Sequence, residues 1–555
     1  MPRKLIFMIF FLFLLSVNFS GCQKNNIQSA EKSIDAKDLS GHIQTISSDD
    51  YEGRAPASRG EEKTINYIRG EFKKLGLKAG NDDSYFQEVP LVSITTDPDT
   101  EVVIQAGDKN LSFSYGKECM VSTKREMNTV SLGNSDMVFV GYGIVAPEYG
   151  WNDYEGLDVR GKTVVMLVND PGFSTQNPEL FNGNAMTYYG RWTYKFEEAA
   201  RQGAEAAFII HETKPAAYPW EVVENSWSGA QFNLRTADKN MSRCAVEGWF
   251  TIDSTRKIFE QAGLDLDKLK EEAAKPGFKP IPMGLKASAT LKNTIKECLS
   301  NNVIAVLPGR TRPDEYIFYM AHWDHLGLNS SLKGDQIFNG ALDNASGVAG
   351  LIELAEAFTR LSRPSERSIA FLSTTSEEQG LLGSEYYAEH PIYPLTKTVA
   401  AINMDGLNIY GKMKDITLVG YGNSDLDDYL KAAASAQGRT VRPDPEPEKG
   451  YFYRADHLSF AKQGIPTLYT DTGTDSVEHG KEWTKKQKEL YTKDHYHKPS
   501  DEYNPNWDFS GMVEDLQLLF HVGLKLGNED TFPNWKEGTE FQAKRDRAMK
   551  AAEKS

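Results

Sequence analysis

Between Glu61 and Leu75 apolar residues fall at Ile65, Ile68, Phe72 and Leu75, the spacing of one buried helical face, and Gly76 supplies the stop. Further along, the period changes. MVFVGYGIV (137–145) and KTVVMLVND (162–170) read as strands between turns rich in Gly, Pro and Asn, and residues 191–211 read as an amphipathic helix, a glycine, then a strand. Past residue 300 come NNVIAVLPG (301–309), YIFYMA (316–321), SIAFLST (368–374) and VAAINM (399–404), short apolar runs rich in β-branched or aromatic residues, with the helical stretch GVAGLIELAEAFTRL (347–361) among them. Both ends look different. Residues 23–37 are polar and read as a tether, and residues 531–555 are charged and helix-prone, the texture of a solvated tail.

The strand-like runs end in residues that bind metal. After YIFYMA comes AHWDHLG with His322 and Asp324; after SIAFLST come Glu377 and Glu378; VAAINM runs into NMDG with Asp405. GALDNASG adds Asp343, and YHKPSD, far downstream, adds His497. Each strand delivers its polar cluster to one edge of a sheet, the edge where sites form in open α/β folds. Zinc takes imidazole nitrogen and carboxylate oxygen, and two adjacent ions need about five protein ligands when one carboxylate is shared. His322, Asp343, Glu378, Asp405 and His497 meet that count. Glu377, beside a ligand, is placed to take a proton from water, and Asp324 to accept the second N–H of the His322 imidazole. Asp343 or Asn344 also suits the N-cap of the following helix.

The ordered series H-x-D, D-N-A-S-G, E-E, M-D-G and Y-H-x-P-x-D resembles the di-zinc peptidases of the bacterial aminopeptidase and glutamate carboxypeptidase type. That resemblance implies an α/β fold with a mixed central sheet flanked by helices and two zinc ions. In it Asp343 bridges, His322 and Asp405 complete one ion, Glu378 and His497 the other, and Glu377 is the general base. It implies an exopeptidase acting on peptide substrates, foremost an aminopeptidase releasing N-terminal residues through a metal-bridging hydroxide. A carboxypeptidase would use the same ligands with arginines gripping a carboxylate, for which Arg54, Arg191 and Arg454 are candidates. A one-zinc cyclase-like transferase and a non-catalytic receptor on the same fold are further rivals, the latter betrayed by loss of a ligand or base. The segment 450–473 resembles the pocket-lining part of these peptidases and offers Tyr451, Tyr453 and His457 as oxyanion donors. The turn at Asp50–Arg54 resembles a structural turn preceding their first helix. GYGIVAPEYGWNDYEGLDVRGKTVVML resembles a protease-associated domain, which sets the expected organisation: a peptidase domain over 38–118 and 290–530, interrupted by an insertion over 119–289.

Charge and cysteines narrow the setting. A net charge of −16 and a pI near 5.3 disfavour nucleic acid, since no basic stripe neutralises phosphates. Cys119, Cys244 and Cys298, without close spacing, leave room for one disulfide at most. Residues 1–22 carry Arg3 and Lys4, an apolar stretch from Leu5 to Leu15, and Phe19-Ser20-Gly21-Cys22, which resembles a bacterial lipoprotein signal. By that resemblance Cys22 is lipidated and the protein is anchored to a membrane of the bacterial cell envelope; plain secretion is the alternative.

Overall fold

The computed structural model describes residues 26–330 and 332–552. The leader and Cys22 lie outside them. Two compact units divide the chain: the first holds residues up to Val89, Ser300–Asp444 and Ala455 onward, the second Pro90–Leu299 and Pro445–Arg454.

The first unit is a mixed sheet between helices. Its helices include α1 (Ala36–Ile46), α2 (Arg59–Lys74), α3 (Ser346–Thr359), α4 (Gly480–Asp494) and α5 (Ser510–Asn528). Its strands include the end of β1 (Ile281–Leu307) from Ser300 on, β2 (Arg312–His322), β3 (Arg367–Thr374), β4 (Thr398–Asn403), β5 (Asp415–Val419) and β6 (Thr467–Asp471). The end of β1 pairs antiparallel with β3; β3, β2, β4 and β6 follow in parallel; β6 pairs antiparallel with β5. Strand alternation sorts the side chains. Ile317, Tyr319 and Ala321 of β2 join the core under α1, α2, α3 and α5, while Phe318 and Met320 face a smaller core with Tyr387 and Phe460. A sheet covered on both faces explains why these strands read as unbroken apolar runs. The helix expected over 61–75 is α2, capped by the Ser58 hydroxyl, which accepts the Glu61 N–H at 3.2 Å, and Ile65, Ile68 and Phe72 are buried.

Both supposedly solvated ends are held to the first unit. In the expected tether, residues 26–31 are helical and Ala30 and Ile34 are buried in the main core. In the expected tail, Trp535 is buried and donates its indole N–H to the Gly464 carbonyl at 2.9 Å, and the buried Arg545 donates to the Thr398 carbonyl at 3.1 Å. Each segment docks through one or two side chains in a polar stretch, which composition alone hides.

The second unit begins earlier and ends later than the expected 119–289. A hairpin of Glu101–Ala106 and Lys109–Ser114 pairs with Lys286–Ala289, so residues from Pro90 belong to it. Thr163–Leu167, Ala206–His211 and Val246–Thr251 form a parallel set, with Trp192–Arg201 as the expected helix. Alternate residues face two cores, Val165, Phe208 and Ile210 on one side, Val164, Met166 and Ile209 on the other. Tyr194 is buried in this packing, with the ring of Tyr189 5.0 Å away.

Candidate metal centre

The centre lies at the carboxyl ends of β2, β3 and β4. In register, His322 stands beside Thr374, and Met320 beside Asn403. Glu377, Glu378 and Asp405 therefore leave the sheet at the same edge as His322. Asp343 approaches from the loop before α3, and His497 from the turn after α4, where its backbone is left-handed (φ 55°).

The motif side chains converge. His322 Nε2 lies 3.3 Å from Asp343 Oδ1 and 3.3 Å from Asp405 Oδ1. His497 Nε2 lies 3.2 Å from Asp343 Oδ2 and 3.0 Å from Glu378 Oε2. Asp343 thus offers one oxygen to each half of the site. His497 Nε2 is sealed from solvent and, among the described residues, makes no hydrogen bond, although two carboxylate oxygens lie within reach. His322 Nε2 and His497 Nε2 thus each face two carboxylate oxygens at 3.0 to 3.3 Å, the arrangement of ligands around a cation. Asp343, Glu377, Glu378 and Asp405 are close-set carboxylates, and burying them together is costly without positive charge beyond the two imidazoles. The donor set of two imidazoles and three carboxylates fits two zinc ions sharing Asp343.

Glu377 reaches the half of the site that holds His322 and Asp405. Its Oε2 lies 3.9 Å from His322 Nε2. Burial, with the charges of Asp405, Glu378 and Asp456 added and His322 opposing, holds its carboxyl well above the ordinary range. Burial also pushes up Glu378, but His497 and His325 win and draw it down to about 2. Burial would push the His322 imidazole down; Glu377 and Asp405 overcome it and hold it well above its ordinary value.

Several supporting roles differ from the sequence reading. Asp324 was expected to accept from His322. The nearer acceptor for His322 Nδ1 is the Asp324 carbonyl, at 3.1 Å, while the carboxylate is 3.7 Å away. That carboxylate instead accepts the N–H groups of Glu377 and Glu378, at 3.0 and 3.4 Å, so Asp324 positions both glutamates. Burial pushes its carboxyl up to about 8. Arg54 is structural, as its turn suggested: it donates to the carbonyls of Ile46 and Trp323 at 2.9 Å, Gly340 at 2.8 Å and Asn339 at 2.5 Å, pinning the loops that carry His322 and Asp343. The preceding Gly53, at φ +64°, leaves no room for a Cβ, which would stand 2.4 Å from the Gly327 carbonyl.

Other contributors were missed. Asp501 accepts the N–H groups of Leu342 and Asp343, each at 3.1 Å, and fixes the bridging residue; its place in Y-H-x-P-x-D was the available signal. His325 Nδ1 lies 2.6 Å from Glu378 Oε1, the oxygen turned away from His497. Asn344 Oδ1 accepts from Gly347, capping α3, and from Gly406, tying the Asp343 loop to the Asp405 loop at 2.9 and 3.2 Å. Tyr496, 46% exposed, stacks on the His497 ring (3.9 Å between centroids), which places it beside the site. Of the expected oxyanion donors, His457 is buried against Tyr469 (4.9 Å), and Tyr451 and Tyr453 belong to the second unit.

Residues 302–521 match the profile of Peptidase family M28. The match is to this stretch and not to the whole chain. Among curated relatives, "Aminopeptidase NAALADL1" of Mus musculus is 33% identical over 138 residues, 23% of this chain and 17% of the relative. "Aminopeptidase YwaD" of Bacillus subtilis is 32% identical over 104 residues, 18% of this chain and 20% of the relative. The match thus spans about a fifth of each of these relatives' length. Among solved structures, the aminopeptidase from Aneurinibacillus sp. strain AM-1 aligns with a TM-score of 0.51 at 20% identity, covering 91% of this chain and 97% of that one. At that identity the likeness concerns the fold, and it extends beyond the matched stretch.

Proposed function

We propose that the chain is a zinc-dependent aminopeptidase that hydrolyses the N-terminal residue from peptides. The observation that carries this reading is the pair of half-sites sharing Asp343, with Glu377 at one of them. Zinc bound here supplies Lewis acidity for water and for the scissile carbonyl. Glu377, made more basic by burial and by the carboxylates around it, takes the proton of the attacking water and passes it to the leaving amine nitrogen. Tyr496 is the side chain on hand to donate a hydrogen bond to the developing oxyanion. The names of the two matched relatives, both aminopeptidases, favour an N-terminal over a C-terminal cut. Arg54 is occupied by backbone carbonyls, which removes one candidate grip for a substrate carboxylate in the first unit. A binding-only receptor is disfavoured because every ligand and the base are present.

We read the second unit as a protease-associated insertion, on its sequence motif and on its lack of catalytic residues. From the sequence of residues 1–22 we propose a lipid anchor at Cys22 and residence in the bacterial cell envelope.

Two measurements test the activity. Aminoacyl-nitroanilides and free-amine peptides are cleaved, and N-acetylation of the same peptides abolishes cleavage; equal cleavage of acetylated peptides rejects the aminopeptidase reading. Glu377→Gln lowers kcat by about 10²–10⁴-fold, the usual scale for a general base, while metal analysis still finds two zinc ions per chain. Undiminished turnover would remove Glu377 from the mechanism.

A further inference from the structure

The arginines of the second unit fall into two kinds. Arg125, Arg160, Arg201, Arg235, Arg243 and Arg256 each lie within 3.3 Å of a carboxylate: Glu205, Asp158, Glu198, Glu297, Glu247 and Asp267. Arg191 and Arg454 have no such partner among the described residues. Arg191 is only 9% exposed, and its Nε is sealed from solvent with no acceptor. Nε and Nη2 of Arg454 are sealed in the same way. The two stretches that carry them meet: the ring of Tyr188, three residues before Arg191, lies 6.1 Å from that of Tyr453, next to Arg454. Burial first, then the Arg454 charge, lowers Arg191 to about 9, and both arginines act on the half-buried Tyr218. The Arg454 guanidinium lies 5.9 Å from the centre of the Tyr218 ring and 5.5 Å from that of Tyr451.

Like charges brought together out of water are costly, and each donor left without an acceptor adds to the cost. The tyrosine faces offset part of it by cation–π attraction but accept none of the in-plane N–H groups. What satisfies both the charge and the donors is an anion with several oxygens, for which the planar guanidinium fork is matched. We propose that Arg191 and Arg454 form a binding site in the second unit for an oxyanion, supplied either by a peptide carboxylate or by inorganic phosphate. The site shares no residue with the metal centre, and its existence does not rest on the peptidase reading.

The test is isothermal titration calorimetry on the full-length, zinc-loaded protein. The probes are inorganic phosphate, N-acetyl-Ala-Glu, whose blocked amine protects it from an aminopeptidase, and the same dipeptide with both carboxyls amidated. At least one of the first two binds and the diamide does not; which of the two binds more tightly identifies the source of the oxyanion. Arg454→Gln weakens that binding at least tenfold, and Arg454→Lys, keeping the charge without the fork, falls between. Arg191→Gln does the same; should it fail to fold, the less buried Arg454 decides. The proposal is overturned if neither anion binds. It is equally overturned if Arg454→Gln binds as tightly as the wild type, as it would if the peptide sat on the zinc ions, a case recognisable because chelation then removes the binding.

Discussion

Asp324 shows how a residue can be picked out correctly while its task is misread. The H-x-D spacing pointed to the histidine's second nitrogen, but the carboxylate spans the two successive N–H groups of Glu377 and Glu378. Replacing it by Asn removes one acceptor and sets an amide donor against a backbone donor. Asp324→Asn is therefore expected to lower kcat by about 10–100-fold, on the scale of outer-sphere changes at zinc sites, and to weaken retention of zinc at the Glu378 half. Competition with a chelator of graded strength measures that loss; a variant with wild-type kcat and zinc affinity would reduce Asp324 to packing. The metal-binding side chains were legible because coordination chemistry restricts them to a few residue types at strand ends. Asp501 and His325 were not, because their roles depend on which backbone groups and carboxylates the fold brings to them, and Tyr496 was passed over although it adjoins His497 in sequence.

At the scale of elements, helices and strands with a strong period were readable, while contacts made by one or two side chains of a polar segment were not, as Ala30, Ile34 and Trp535 show. The pairing of α1 with α3 holds a further element that no periodicity reveals: Glu353, 0% exposed, accepts the Asp35 N–H at 3.1 Å and lies 3.8 Å from His42 Nε2. Burial, with Glu356, Asp38 and Asp35 adding, raises its carboxyl to about 8 from 4.5, and burial lowers His42, which weakens the one cation at hand. Between those values the folded chain keeps a proton that the unfolded chain releases, so stability falls as pH rises through the window. Gln keeps an acceptor for Asp35 and carries no proton. The stability of Glu353→Gln relative to wild type should thus grow between pH 5 and pH 8, by on the order of 1–2 kcal/mol after allowing for relaxation around the buried group. Denaturant midpoints at the two pH values measure it, and a difference independent of pH would mean that Glu353 does not titrate in this range.

For the whole molecule, the candidate metal ligands all belong to the first unit, while the second buries Lys195, which donates to the carbonyls of Tyr142 and Asn169 at 2.6 and 2.8 Å under the influence of Asp170 and Asp153. Each unit therefore carries its own electrostatic keystone, and the two are separable by experiment. A ligand that binds only the folded state stabilises it by about 4 kcal/mol when present at a thousand times its Kd, so stripping zinc with a chelator should lower a calorimetric transition belonging to the first unit by several degrees. Lys195→Met leaves the buried carbonyls of Tyr142 and Asn169 without their donor, a loss of about 1–3 kcal/mol for each, and should lower a transition belonging to the second unit. If the units melt independently, scanning calorimetry shows two transitions, with chelation moving one and the substitution the other. A single transition displaced by both treatments would instead mean that β1, whose pairings run through both units, couples them into one cooperative fold, and zinc would then stabilise the arginine pair's unit as well as its own.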